Sequence, residues 1–226
     1  MKKLLVIAGV LALCYGGMQR LAASDGLCHI MFIPIGDFPP RSLQSVADYY
    51  EQTLGLHIKL GPAISIEEAM IDRSRGQLIG EELVNQMKRQ LSAEANDSTV
   101  LMMGFTRGDM YIRQKDWRFA FAYREQGRFA AISTARMDPV SFGLPVDDGV
   151  LVRRLIKMTS KQIGLYYYRL PERQERTSVL FSPILGVDDL DSVSLDFDGI
   201  DRGRVGSPVK QCGSKAAGTV LSFLFK

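Results

Sequence analysis

The sequence predicts an α/β fold in which a mixed, twisted sheet is flanked by helices. Its hydrophobic patterns follow the order strand, helix, strand, helix, several strands and helix, which is typical of layered α/β proteins. The composition is 46% apolar and 23% charged, which excludes a disordered or fibrous chain. A length of 226 residues is sufficient for one domain with a buried core.

Five apolar segments predict the strands of this sheet. Residues 29–34 form a short apolar run that ends at proline and glycine, which favours a buried strand. Residues 99–105 are continuously apolar, as in a strand that is covered on both faces. The alternation in residues 56–60 predicts a half-buried strand. Residues 117–123 and 128–134 predict two shorter strands.

Three segments have the spacing of amphipathic helices. The first spans residues 43–54, with Ser42 as its N-terminal cap and Gly55 as its terminator. The second begins around residue 67 or 74 and continues to residue 91, with charged side chains on its outer face. The third runs from about residue 149 to residue 164.

Residues 1–24 predict a secretory signal peptide. They contain basic but no acidic side chains, a short apolar run at residues 4–13, and small residues where cleavage is expected. The apolar run is too short for a spanning helix, and the alternative is an uncleaved N-terminal anchor. We therefore expect an exported protein, periplasmic or secreted, that meets a membrane only through this segment if it is not cleaved.

The rest of the chain is predicted to divide into a domain at residues 25–198 and a Gly/Ser-rich C-terminal extension with an apolar end at residues 199–226. The chain has 28 basic and 25 acidic side chains. Lys2, Lys3 and Arg20 account for this whole excess, so the chain without its signal peptide is neutral. No basic cluster with interleaved aromatic residues occurs, which argues against a nucleic-acid partner.

The cysteines and histidines limit the covalent and metal chemistry. Cys28 and Cys212 remain after the predicted signal peptide, and an oxidising compartment favours a disulfide between them. Two free thiols are the alternative. With 3 Cys and 2 His in the whole sequence, one chain cannot form a four-cysteine or a three-histidine zinc site. We expect structural roles for His29 and His57.

Four segments form a series of landmarks: residues 32–36 (FIPIG), 73–78 (RSRGQL), 104–111 (GFTRGDMY) and 130–137 (AAISTARM). In order and spacing, these landmarks resemble the archaemetzincin family of zinc peptidases, across about residues 30 to 198. The resemblance implies a metzincin-like single domain whose cleft holds an extended peptide along an edge strand. The predicted strand at residues 117–123 is the candidate for that edge.

The active-site helix of that family carries H-E-x-x-H-x-x-G-x-x-H, in which three histidines bind zinc and the glutamate acts as general base. The resemblance aligns the third predicted helix with this motif, and Leu180 with the methionine beneath the metal. The three histidine positions hold Lys161, Leu165 and Pro171. The glutamate position holds Gln162, and the glycine position holds Tyr168. Leu165 and Pro171 have no donor atom in their side chains, and Gln162 cannot accept a proton at neutral pH.

A second alignment of the motif lies four residues upstream and also lacks zinc ligands. It places Lys157, Lys161 and Tyr167 at the ligand positions and Met158 at the position of the base. Both alignments therefore predict a degenerate member of the family, with a vestigial site that has no metal, no cofactor and no catalytic residue.

The functional hypothesis is a pseudo-peptidase that binds a peptide or protein segment in the vestigial cleft. The residues expected to contribute to binding are Lys157, Tyr167, Arg169 and Trp117. The alternative is that Tyr167 packs on the core and that Lys157 and Lys161 are solvated surface lysines. Two other functions stay open. One is a hydrolase of non-zinc mechanism that reuses the pocket, with Ser160, Lys157 and Lys161 as its candidate residues. The other is a structural envelope protein that makes contact through its apolar C-terminal end.

Overall fold

The structure, a computed structural model, describes residues 27, 29–125 and 127–205. The predicted signal peptide, Cys28, Cys212 and residues 206–226 lie outside this part. The strands are β1 (His29–Pro34), β2 (Ile58–Leu60), β3 (Ile71–Asp72), β4 (Gln77–Ile79), β5 (Val100–Thr106), β6 (Met110–Tyr111), β7 (Ala122–Glu125) and β8 (Phe129–Ser133). The helices are α1 (Pro40–Leu54), α2 (Gly80–Gln90), α3 (Ser92–Asn96), α4 (Asp148–Tyr166), α5 (Val187–Ser192) and α6 (Gly199–Arg202).

The main sheet has the strand order β2-β1-β5-β8-β7. Strands β2, β1, β5 and β8 are parallel, and β7 pairs antiparallel with β8, with Ala122 opposite Ile132. A smaller sheet has the order β3-β4-β6. The mixed α/β architecture is therefore confirmed, and β7 forms an edge of the main sheet.

Helices cover both faces of the main sheet. On one face, Tyr50 of α1 and Ile156 of α4 belong to the same buried cluster as Phe32 of β1. On the other face, Leu83 of α2 belongs to a cluster with Met102 of β5. Strand β5 is buried along its whole length, as its continuous apolar run predicts.

Helix α1 begins earlier than predicted. Ser42 is not the residue that starts it, because Pro40 occupies the first helical position. Proline fits there since the N–H groups of the first turn have no partner within the helix. The helix ends at Gly55, as predicted. Gly55 has φ 64° and donates its N–H to the carbonyl of Glu51 at 3.0 Å, and Leu56 N donates to the carbonyl of Tyr50 at 3.2 Å.

The prediction of a helix starting at residue 67 or 74 is wrong for the residues before Gly80. A 3₁₀ turn at Glu68–Met70 leads into β3 and β4, and α2 begins only at Gly80. Leu78 N donates to Asp109 O at 2.7 Å, so β4 obtains its partner from a distant part of the chain. Such pairing overrides the helical spacing of the local sequence.

The edge strand is also shorter than predicted, since β7 contains only residues 122–125. The residues before it are held by two backbone hydrogen bonds, from Ala120 N to Met110 O at 2.7 Å and from Ser133 N to Phe121 O at 2.9 Å, and by side chains of β4 and of the turn before it. Arg75 donates to the carbonyls of Trp117 and Arg118, and Gln77 donates to the carbonyl of Arg118 at 2.9 Å.

Helix α4 is the predicted third helix and supports the candidate site. Asp147 caps it by accepting a hydrogen bond from Val150 N at 2.9 Å. Near its other end, Gly164 packs so closely that a Cβ atom there would lie 2.6 Å from Leu180 and 2.7 Å from Phe197. Because Gly164 has no side chain, the end of α4 can pack closely against the segment that contains Leu180 and Phe197.

The ordered fold continues beyond the predicted domain boundary at residue 198. Helix α6 follows immediately, and its Asp201 is buried and bonded to Arg173 at 2.5 Å. The first residues of the predicted extension therefore pack on the domain. In the described part of the chain, no helix is long and apolar enough to cross a membrane.

Candidate functional site

A cleft of about 320 Å³ opens between the edge of the main sheet and the second half of α4. Residues 116–122 and Arg124 line it from the sheet, and residues 182–185 line it from the segment after α4. The lining residues on α4 are Met158, Lys161 and Gln162. The cleft thus lies where the archaemetzincin resemblance places the active-site helix next to an edge strand.

The exposed edge of β7 forms part of this cleft. Ser133 N of β8 donates to Phe121 O at 2.9 Å, and backbone groups of alternate residues face the same neighbour in an antiparallel pair. Ala122 and Arg124 therefore direct their N–H and C=O groups away from β8, and both residues line the cleft. An edge of this kind can pair with an extended peptide.

Lys161 is a buried amine that lines the cleft. Its side chain is 5% exposed, and its Nζ donates to the carbonyl oxygen of Phe181. Burial and the positive charge of Arg124 lower the pKa of Lys161 to about 8, although the carboxylate of Glu172 opposes this shift. Lysine has three N–H donors. Within the described residues only Phe181 accepts one of them, so capacity for a ligand remains.

Gln162 is a buried amide next to it. Its Nε2 donates to Met158 Sδ at 3.4 Å, which is a weak acceptor. Its Oε1 has no hydrogen-bond partner among the residues that the structure describes, although the residue is only 1% exposed. An unsatisfied buried polar group costs about 1–3 kcal/mol. A ligand that supplies the missing partner would recover part of this free energy.

The other vestigial positions are occupied by packing or surface residues. Leu165 packs against a small apolar cluster that contains the buried Leu180. The ring of Tyr168 makes an edge contact with Phe197, with centroids 6.2 Å apart. Pro171 is exposed on the loop after α4. None of these residues is among those that line the cleft.

The residues predicted to bind in the cleft do not all meet there. Trp117 lines it and is 45% exposed. Lys157 donates to carbonyls at the end of α5, at 2.8 Å and 3.2 Å, and is not a lining residue. Tyr167 is half-buried against the main core, and burial raises its pKa. Arg169 is exposed, with φ 54°, and also lies outside the lining.

Ser160 and Lys157, the candidate pair of a non-zinc hydrolase, contact different neighbours. Ser160 Oγ lies 2.9 Å from the hydroxyl oxygen of Tyr50 in the buried core, whereas Lys157 faces α5. Neither residue lines the cleft. The structure therefore does not join them into a Ser–Lys pair.

Sequence reasoning did not identify two contributors to the cleft, namely Arg124 and residues 182–185. Arg124 forms an ion pair with Glu172 at 2.7 Å at the cleft's edge. No motif marks residues 182–185, because their position depends on how the chain turns after Phe181. The signal available for Arg124 was its position directly after the predicted edge strand.

The residues at the vestigial positions do not fit zinc. Lys161 donates a hydrogen bond to Phe181 O where a ligand lone pair would be needed, and Leu165 offers only carbon. Across residues 27, 29–125 and 127–205, no group of three or more His, Cys, Asp or Glu is arranged to hold a metal ion. His29 and His57 are exposed and belong to the β1–β2 side of the sheet, opposite the β7 edge.

Two known proteins are similar to this chain in sequence. An archaemetzincin from Thermococcus kodakarensis is 26% identical over 144 residues, which are 60% of this chain and 73% of that protein. An archaemetzincin from Haloquadratum walsbyi is 27% identical over 135 residues, which are 58% of this chain and 74% of that protein. The chain is archaemetzincin-like. No protein-family model matches the sequence.

Solved structures show that the fold of this archaemetzincin-like chain is also shared. A zinc-dependent peptidase from Methanocorpusculum labreanum superposes with a TM-score of 0.63 at 18% identity, over 77% of this chain and 98% of that one. The Archaeoglobus fulgidus archaemetzincin, solved with malonate, gives 0.61 at 16% identity, over 78% and 99%. The Methanopyrus kandleri archaemetzincin gives 0.60 at 18%, over 81% and 95%. The predicted metzincin-like single-domain fold is confirmed.

Proposed function

We propose that this archaemetzincin-like chain is a catalytically inactive pseudo-peptidase that binds an extended peptide or protein segment in its cleft. One observation carries the proposal. The cleft between β7 and α4 is open, yet its positions for a zinc ligand and for the general base are occupied by Lys161 and Gln162. A binding surface of the family is thus combined with side chains that suit neither zinc binding nor base catalysis.

Binding would use the backbone of the edge strand. A peptide that runs along β7 can pair with the outward N–H and C=O groups of Ala122 and Arg124. Exposed apolar side chains flank this path, since Trp117 is 45% exposed and Leu185 is 63% exposed. These two side chains offer apolar contact area to the peptide's own side chains.

The chemistry of Gln162 argues against peptide hydrolysis by the family's mechanism. A general base must accept a proton from the attacking water, and a side-chain amide does not do so at neutral pH. Gln162 is also held at only 1% exposure, with Met158 as its one hydrogen-bond partner in the described chain. Its amide is therefore better suited to forming a hydrogen bond with a ligand than to activating water.

The test combines metal analysis, a peptidase assay and peptide binding on the purified full chain. We expect no stoichiometric zinc, no hydrolysis that a chelator abolishes, and measurable binding of short extended peptides. A tightly bound equivalent of zinc with chelator-sensitive cleavage would overturn the proposal. If the folded protein binds none of these peptides, the binding part of the proposal is overturned.

Export is the second part of the proposal and depends on residues 1–24, which have the charge and apolar pattern of a signal peptide. Cell fractionation followed by N-terminal sequencing tests it. We expect the protein outside the cytoplasm with a new N-terminus close to Ser24. Full-length protein in the cytoplasm would contradict export.

A further inference from the structure

A second groove of about 450 Å³ adjoins the cleft, and the two share Arg118 and Phe119 in their walls. The carboxylates that line the cleft and this groove are Asp109 and Asp116. The cations that line it are Arg75, Arg118, Arg124, Arg136 and Lys161. Positive charge therefore exceeds negative charge along the path of a bound peptide.

Only some of these cations are neutralised within the fold. Arg124 pairs with Glu172 at 2.7 Å, and Arg136 pairs with Asp109 at 2.7 Å. In the described part of the chain, the other three have no carboxylate within ion-pair distance: Arg75, Arg118 and Lys161. Positive charge without a paired carboxylate is therefore present in the lining of both the cleft and the second groove.

Lys161 is the cation for which this imbalance matters most. A buried ammonium without a counter-charge is energetically unfavourable, whereas an exposed one is solvated by water. The next residue, Gln162, presents a buried polar atom without a partner to the same cleft. An amide can donate through Nε2 as well as accept through Oε1, so both residues offer hydrogen-bond donors to the same cleft.

We infer that the cleft is selective for acidic peptides, with one ligand carboxylate bound by Lys161 and Gln162 and a further acidic side chain bound by Arg118. This inference rests on the proposed function, since it names the class of peptide that the cleft takes. A carboxylate supplies the counter-charge that Lys161 lacks and two oxygen acceptors for the donors around it. Charge-assisted hydrogen bonds of this kind are about twice as strong as neutral ones.

The test uses short peptides in matched pairs that differ only by Glu against Gln at the central position, bound to the full chain. We expect the Glu member to bind about tenfold more tightly, as one charge-assisted hydrogen bond allows. Lys161→Met should abolish this difference, so that the Glu and Gln members bind equally. Lys59→Met is the control for net charge, because Lys59 is exposed on β2 away from the cleft, and it should keep the difference.

A second variant keeps the inference testable if Lys161→Met does not fold. Arg118 is exposed, so Arg118→Gln should fold and should weaken the binding of peptides with an additional acidic residue by about tenfold. Equal binding of the Glu and Gln members would overturn the inference and leave the proposed function intact. If neither member binds, the proposed function itself fails.

Discussion

The buried ammonium of Lys161 in α4 donates a hydrogen bond to the main-chain oxygen of Phe181. Lys161 stands at the position that the archaemetzincin resemblance aligns with a zinc ligand. The hydrogen bond joins α4 to the segment after it. The carbonyl carries no full negative charge, and among the described residues no carboxylate lies within ion-pair distance of this ammonium. The carboxylate of Glu172 acts on it only from farther away. This relationship has consequences for stability as well as for binding.

The buried ammonium makes stability depend on pH. The folded pKa of Lys161 is about 8, below the ordinary value of 10.5 in the unfolded chain. The unfolded state therefore binds more protons between these values, so stability rises with pH across the window from about 8 to 10.5. The shift corresponds to a gain of about 2–3 kcal/mol.

Denaturant unfolding of the wild type and of Lys161→Met at both ends of this window measures the effect. Other groups titrate here too, so the informative quantity is the difference between the two proteins. Lys161→Met has no titrating group at this position. Between pH 8 and 10.5, the free energy of unfolding of the wild type should therefore increase by about 2–3 kcal/mol more than that of Lys161→Met. A difference that stays constant with pH would contradict the prediction.

Gln162→Leu should raise the free energy of unfolding by about 1–2 kcal/mol. The substitution removes a buried oxygen that has no partner in the described chain and replaces a polar side chain by an apolar one of similar size. Thermal or denaturant unfolding measures it. The matched control is Gln86, which is equally buried but bonded to Glu67 and Arg89. Gln86→Leu should destabilise the protein, and equal effects of the two variants would contradict the argument.

The sequence made the central strands predictable but not the smaller sheet. Long apolar runs fit strands that are covered on both faces. Strand β1 has the predicted bounds, and β5 is shifted by one residue from the predicted segment. Gln77–Ile79 has helical spacing, yet it is a strand because β6 pairs with it. A partner that lies far away in the sequence leaves no local signal, which is why the start of α2 was misplaced.

For the candidate site, the sequence predicted individual residues of the cleft more readily than the contacts that those residues make. Lys161 and Gln162 were found through the family motif, and both line the cleft. Lys157 lies one helical turn before Lys161, yet α5 supplies acceptors that hold it outside the cleft. Arg118 lies in the predicted edge segment but was not singled out, and Arg124 was missed because it follows that segment directly.

Gly164→Ala should destabilise the protein by about 1–3 kcal/mol, although alanine favours helices more than glycine does. The added Cβ would lie 2.6 Å from Leu180 and 2.7 Å from Phe197, so this packed region would have to shift. Gly199→Ala is the control, because no atom lies within 4 Å of a Cβ at that position. Chemical denaturation of both variants tests the argument. A Gly164→Ala protein as stable as the wild type would show that the end of α4 is not tightly packed.

Ala122→Pro should weaken peptide binding about tenfold or more with little loss of stability. Proline removes an N–H that faces away from β8, so the ladder between the two strands keeps its hydrogen bonds while a bound peptide loses one. Ala122→Ser keeps the N–H and is the matched control. Binding of one extended peptide to the three proteins, with circular dichroism as a check of the fold, decides the matter. If Ala122→Pro binds as tightly as the Ser variant, the peptide does not pair with β7, and the cleft must hold it by side-chain contacts alone.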